Sequence, residues 1–329
     1  VAAELHVFFW LGLVDRLRGL FLHDRMDAPL RRQLASAIEI HLARPSGGET
    51  GRPPGPEETV LREWLQELSP PGLADRVRDL TAREFWSPGR HEVREAAFGH
   101  HADELLASPG TLGTLTDWFD SGEARSGRNL GFIVGRRDEH AALARIVEEW
   151  MRAGRCLDFT TNYLGGIFAR EGRLPDSWAN LVDAVAAERP EDAAWMTAAA
   201  DISGRGFERL VQLLPRLSAP ASRFLRSLAY GDWLRILQTE QRARALDQLD
   251  RLAEAGDAGA PGVGLELLRM WGHIDGNALD TALVEGAIRL VRRVREDGGA
   301  VDRYVWREVL GLLCPHALRL VAELSLTPL

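Results

Sequence analysis

The polar residues best suited to chemistry crowd into one short stretch: His91, Glu92, Glu95, His100, His101 and Glu104. On a helix, His100 and Glu104 are four residues apart and share a face. Imidazole nitrogen together with carboxylate oxygen is a donor set that can hold zinc. The order is not His-Glu-x-x-His, and no further ligand set at fixed spacing follows. The expected state of the stretch is therefore an exposed, charged helix surface, with no catalytic, metal or cofactor residue assigned. A helical metal-dependent enzyme centred on His91, His100, His101 and Glu104 stays open beside that reading.

Nucleophiles are few. Cys156 follows Arg152 and Arg155, whose guanidinium groups favour a thiolate only if all three are close and exposed. Cys314 precedes Pro315 and His316 but lies in the apolar run from Leu310 to Leu320, the setting of a small buried hydrophobe. Two Cys this far apart form neither a CxxC knuckle nor a disulfide framework, which points to a reduced cytoplasmic setting. No Gly-x-Ser-x-Gly elbow occurs.

All forty basic residues are Arg, so a Walker-type phosphate loop, which needs a Lys, is excluded from this sequence. Arg without Lys fits selection for phosphate-seeking guanidinium groups. It fits a GC-rich genome better, since Ala, Gly, Leu and Asp are abundant too. A net charge of -8 also disfavours a dedicated nucleic-acid binder, although Arg289, Arg292, Arg293 and Arg295 form a local stripe. Gly165 and Gly166, and the pair Gly262 and Gly264, fall in helical pattern and are expected to let helices approach rather than to bind a ligand.

The elements that must position these residues are helices. Apolar stripes at the 0, +3, +4, +7 spacing run through Leu143, Ile146, Val147, Trp150; Trp178, Leu181, Val182, Val185; and Phe207, Leu210, Val211, Leu214. A longer one joins Leu279, Leu283, Val284, Ala287, Ile288, Val291 and Val294. Asp158, Asp302 and the Asn277–Asp280 pair are cap signals. Asp138, Glu139 and His140 mark a helix start, and Pro175, Pro190, Pro220 and Pro315 suit first turns. Alternation of β-branched residues is almost absent. The spacing predicts an all-α chain, arranged as an α-solenoid of antiparallel helix pairs in a degenerate HEAT- or TPR-like manner.

Four regions follow: 1–44, a helical segment expected to continue from a longer upstream chain; 45–57, a Pro-, Gly- and Ser-rich loop; 58–157, helical; and 158–329, a repeat array. A second soft point spans 121–128. Helix pairs starting near Asp158, Glu191, Ser218, Gly259 and Asp302 lie 33, 27, 41 and 43 residues apart. The first 22 residues are apolar but interrupted by Glu4, Asp15, Arg16 and Arg18, short of the roughly 20 uninterrupted residues of a membrane span. Among the ten Trp, Trp150 and Trp178 belong to core stripes. Trp64, Trp86, Trp118, Trp195, Trp233, Trp271 and Trp306 are left as core or partner-binding.

From Asp158 to Leu214 the chain reads Asp-Phe-Thr-Thr-Asn-Tyr-Leu-Gly-Gly-Ile-Phe, then Leu-Pro-Asp-Ser-Trp, then the stripe from Trp178. This resembles the degenerate helical repeats that follow the NTPase module in large bacterial STAND-type proteins, antiphage defence sensors among them. The resemblance implies a non-catalytic role in sensing a trigger protein or in scaffolding, with a protein partner or neighbouring subunit. It carries over no individual residue.

Overall fold

In the computed structural model the described residues are 31, 34, 35, 38, 42, 56–68, 72–82, 91–218, 220–276, 278–297 and 301–325. Every regular element among them is a helix and none is a strand, as the periodicity predicts. The chain divides into two units, Val1–Ser126 and Gly127–Leu329, and the division falls inside the soft stretch at 121–128.

The first unit contains α1 (Pro56–Leu68), α2 (Leu73–Thr81), α3 (His91–Ala107), α4 (Pro109–Gly113) and α5 (Thr116–Asp120). Ala35 and Ile38 are buried with Leu61, Trp64 and Leu68 of α1. Pro56 opens α1, so the last two positions of the expected 45–57 loop are helical; proline lacks the N–H that a first turn leaves unpaired. The rest of that loop lies outside the described residues, as do Trp86 and the stretch 1–30. Helix α2 packs on α3. Buried Thr81 accepts from the Trp118 indole N–H at 2.9 Å and donates to the Val77 carbonyl at 2.7 Å, which joins α5 to α2.

The second unit begins with α6 (Gly127–Arg137), α7 (Ala144–Ala153), α8 (Leu157–Glu171), α9 (Asp176–Glu188), α10 (Pro190–Ala200) and α11 (Gly204–Leu213). It continues with the short α12 (Ser222–Leu225) and α13 (Trp233–Ile236), then α14 (Thr239–Glu254), α15 (Ala260–Ile274), α16 (Thr281–Asp297), α17 (Arg303–Leu313) and α18 (Leu318–Ser325). Helices start at Leu157, Pro190, Ser222, Ala260 and Arg303, close to the five expected points. Helices pack on both their next and their next-but-one neighbours in sequence: α8 on α6 and α10, α14 on α15 and α16, α15 on α16 and α17.

The stripes explain these contacts. Phe207, Leu210, Val211 and Leu214 are all buried, as are Trp178, Leu181, Val182 and Val185. Each such side chain contributes about 1.5–3 kcal/mol relative to exposure. In the long stripe Val284 and Ile288 are half-buried and the other five are buried. Caps fall close to where the sequence puts them. Asp302 accepts from the Tyr304 N–H at 2.7 Å and Asp280 from the Ala282 N–H at 2.9 Å, while Asn277 lies outside the described residues. Asp158 sits in the first turn of α8, with Cys156 at the cap itself. Asp138 follows the last residue of α6, and its carboxylate accepts from the N–H groups of Ala142 and Leu143 at 2.7 and 3.0 Å, just before α7.

The contact between α6 and α8 runs through glycine. A β-carbon on Gly131 would overlap the Phe159 carbonyl oxygen of α8, and one on Gly135 would overlap that of Tyr163. A β-carbon on Gly166 of α8 would meet the Phe132 carbonyl in return. On the other side of α8, Gly165 faces the Ala199 carbonyl of α10, where a β-carbon would lie at 3.3 Å. Gly165 and Gly166 thus serve helix approach, as expected. Replacing Gly135 by Leu is expected to force α6 and α8 apart and to lower stability by about 1–3 kcal/mol. Gly311→Ala, on an exposed helical position with open space around it, should be neutral or stabilising. Denaturant midpoints of the two variants check the contrast.

Candidate recognition surface

The cluster marked by the sequence comes together in part. Helix α3 carries His100, His101 and Glu104, whose ligand atoms all lie within 4.8 Å of one another. The His101 Nδ1 is 2.9 Å and the His100 Nε2 3.6 Å from Glu104 Oε2. Side-chain exposure is 72% for His100, 17% for His101 and 29% for Glu104, so one edge of the cluster is open and the other is covered. The Arg76 guanidinium of α2 binds the other carboxylate oxygen, Oε1. Burial pushes the His101 pKa below the usual imidazole value, and its bond to Glu104 does not offset that. Burial would raise the Glu104 carboxyl, but the His101 hydrogen bond and the Arg76 charge outweigh it and hold it low. His91 opens α3 and its side chain, like those of Glu92 and Glu95, lies outside the described residues.

Cys156 is buried, so the exposed thiolate setting beside Arg152 and Arg155 is not formed. Cys314 is half-buried rather than fully buried, because it stands in the turn just after α17.

The Arg stripe of α16 is largely engaged. Arg289 pairs with Asp247 and with Asp250, the latter at 3.0 Å, and Arg293 pairs with Asp250 and, at 2.5 Å, with Glu254. All three carboxylates belong to α14. Related bridges continue along neighbouring helices. Arg244 of α14 meets Glu208 of α11 at 2.6 Å, and Arg209 of α11 meets Asp183 of α9 at 2.6 Å. Arg209 also pairs at 2.6 Å with Asp201, and both of these side chains are buried. A phosphate would have to compete with these carboxylates, a cost that spacing within one helix does not reveal.

Among the described residues, one open cleft lies along this ladder and another lies apart from it in the same unit. The one of about 490 Å³ lies over α9 and α11, and its guanidinium groups are spoken for. Arg205 reaches Asp183 at 2.5 Å, and Arg216 donates to the Ala187 carbonyl at 2.9 Å. The second, of about 640 Å³, is lined by residues of α12, α15 and α17, including Arg223, Arg226, Glu266, Arg269 and Tyr304. Arg226 is held by Glu266 at 2.8 Å, and Glu266 also accepts from the Tyr230 hydroxyl. Arg223 pairs with Glu191 at 3.2 Å and lies 5.7 Å from the ring centre of Trp195. Arg269 lies 5.8 Å from the ring centre of Tyr304, and its buried Nε has no hydrogen-bond acceptor. Trp195, Tyr230 and Tyr304 are 41%, 50% and 60% exposed. They form one aromatic and arginine-rich surface within the second unit.

Of the seven undecided Trp, Trp64, Trp233, Trp271 and Trp306 are buried, Trp118 is half-buried, and Trp195 alone among the described residues is exposed. Tyr230, Arg269 and Tyr304 were not singled out by motif. Their signal was negative: Tyr304 lies off the stripe Trp306, Val309, Leu310, Leu313 that α17 buries. Comparisons with protein-family models, curated proteins and solved structures found no match.

The ladder predicts an acid response. Burial would raise the Asp183 carboxyl, but hydrogen bonds from Arg209 and Arg205 hold its folded pKa below the usual value. A depressed folded pKa contributes stability above the unfolded value near about 4, and that contribution is lost as pH falls through the folded value. Asp183→Asn should therefore flatten the fall in stability below about pH 4. Urea midpoints of both proteins across pH 2–5 are the check, and coincident slopes would exclude the role.

Proposed function

We propose that the chain is a protein-recognition region, a sensor or scaffold rather than a catalyst, whose second unit docks a partner protein on the α10–α12–α15–α17 surface. The observation that carries this reading is the grouping of exposed Trp195, Tyr230 and Tyr304 around Arg223, Arg226 and Arg269. Trp, Tyr and Arg are the residues enriched at binding hot spots, where large rigid side chains give area at low entropic cost. In the same proposal the helices form a degenerate HEAT- or TPR-like solenoid, supported by the contacts of successive helices with next and next-but-one neighbours. The likeness to STAND-type sensor repeats of bacterial defence proteins fits that role, with a trigger protein as the partner and the cytoplasm as the setting. For a partner to be a nucleic acid, the Arg289 and Arg293 pairs would have to open.

A triple variant, Trp195→Ala, Arg269→Ala and Tyr304→Ala, tests the reading. Trp195 and Tyr304 are exposed and Arg269 lines the cleft, so circular dichroism and melting temperature should stay close to those of the unchanged protein. Immobilised, both proteins are challenged with lysate of the source cell, and retained proteins are quantified. At least one protein should be held by the unchanged chain and reduced tenfold or more by the triple variant. Equal retention of every captured protein would remove this surface as the docking site.

A further inference from the structure

We propose that His100, His101 and Glu104 form a three-donor site on α3 for a divalent transition-metal ion of the zinc class. Successive residues on a helix are rotated by about 100°, which places Glu104 angularly between His100 and His101, so all three side chains emerge within one third of the circumference. A tetrahedral ion with ligands at about 2.0–2.1 Å needs donor atoms roughly 3.4 Å apart. The two separations to Glu104 Oε2, 2.9 and 3.6 Å, bracket that edge before any ion is bound.

The surroundings supply what such a site needs. Arg76 binds Glu104 through Oε1, which leaves Oε2 directed at the imidazoles and fixes the carboxylate as a one-oxygen ligand. A neighbour that orients a ligand in this way is the usual second layer of a metal site. The same guanidinium repels a cation, which moderates affinity. His101 now hydrogen-bonds through Nδ1; on binding, its single ring proton moves to Nε2 and Nδ1 becomes the ligand atom. Two imidazoles with one carboxylate favour zinc, cobalt, nickel or copper over calcium or magnesium, which take oxygen. The exposed side at His100 leaves the fourth position for water or for a side chain of another protein.

Titration of the full chain with zinc chloride by calorimetry, and with cobalt chloride by visible absorption, tests the site. One equivalent is expected to bind at micromolar or lower concentration, with the intense cobalt bands of four-coordination. His100→Ala and Glu104→Gln should each weaken binding at least tenfold. His100 is exposed, so its variant keeps the fold, and circular dichroism verifies this for both. No binding at micromolar zinc, or affinity unchanged in both variants as for an adventitious surface ion only, would overturn the proposal.

Discussion

Helix α8 can lie against α6 and α10 at once only because side chains are missing where the backbones meet. Gly131 and Gly135 of α6, and Gly166 of α8, sit so close to facing carbonyls that a single added carbon would have to push a helix axis outward. This contact is less forgiving than a stripe of Leu and Val. A flexible side chain can repack, whereas a carbonyl can move only with its helix. The consequences extend outward. The approach brings the Tyr163 hydroxyl to 2.7 Å from the buried Asp138 carboxylate, which also caps the chain leading into α7. Burial, and then the hydrogen bond to Asp138, raise the Tyr163 pKa far above its ordinary value, so the phenol remains a neutral donor.

Beyond the glycine contact, register between helices is supplied by guanidinium forks. Apolar burial supplies most of the stability, because exposed ion pairs are worth only about 0–1 kcal/mol each. The forks matter for alignment. Arg289 spans Asp247 and Asp250, Arg293 spans Asp250 and Glu254, and Arg209 spans Asp183 and Asp201. Each ties two acceptors at once, which a Lys point charge cannot do with the same geometry. The two explanations of an Arg-only composition, phosphate seeking and codon bias, therefore omit a third use. Much of the Arg in the second unit joins helix to helix. Arg209 and Asp201 are the exception to modest energetics, since both are buried and loss of Arg209 leaves the Asp201 carboxylate buried without its cation.

Periodicity made the helices legible, because burying a stripe is a local decision: four residues in about two turns are enough to show which side is wet. Caps were legible for the same reason, as at Asp302. Contacts between helices were not. Gly131 and Gly135 became meaningful only once Phe159 and Tyr163 were opposite them, and nothing in the order of residues says which carbonyl lies there. The Arg289 and Arg293 stripe looked like a free cationic face because its acceptors are about forty residues away in sequence. The Trp residues left open between core and partner contact are decided only by packing. Most of these indoles fill the core, while the exposed aromatic surface depends on Tyr230 and Tyr304 as much as on Trp195.

The pairing of charges also bears on how the exposed surface would choose a partner. Arg223 and Arg226 are neutralised by Glu191 and Glu266, so neither projects an unbalanced field into solvent. Long-range steering would be weak there, and selection would fall to shape and to the aromatic faces. Arg269 differs. It stacks near Tyr304, lacks a carboxylate partner among the described residues, and keeps a buried N–H without an acceptor. An unmet donor of this kind is tolerated only at a cost of about 1–3 kcal/mol. A complex formed on this surface would gain chiefly from contact with the three exposed aromatic rings, whose rigid faces bury area at low entropic cost.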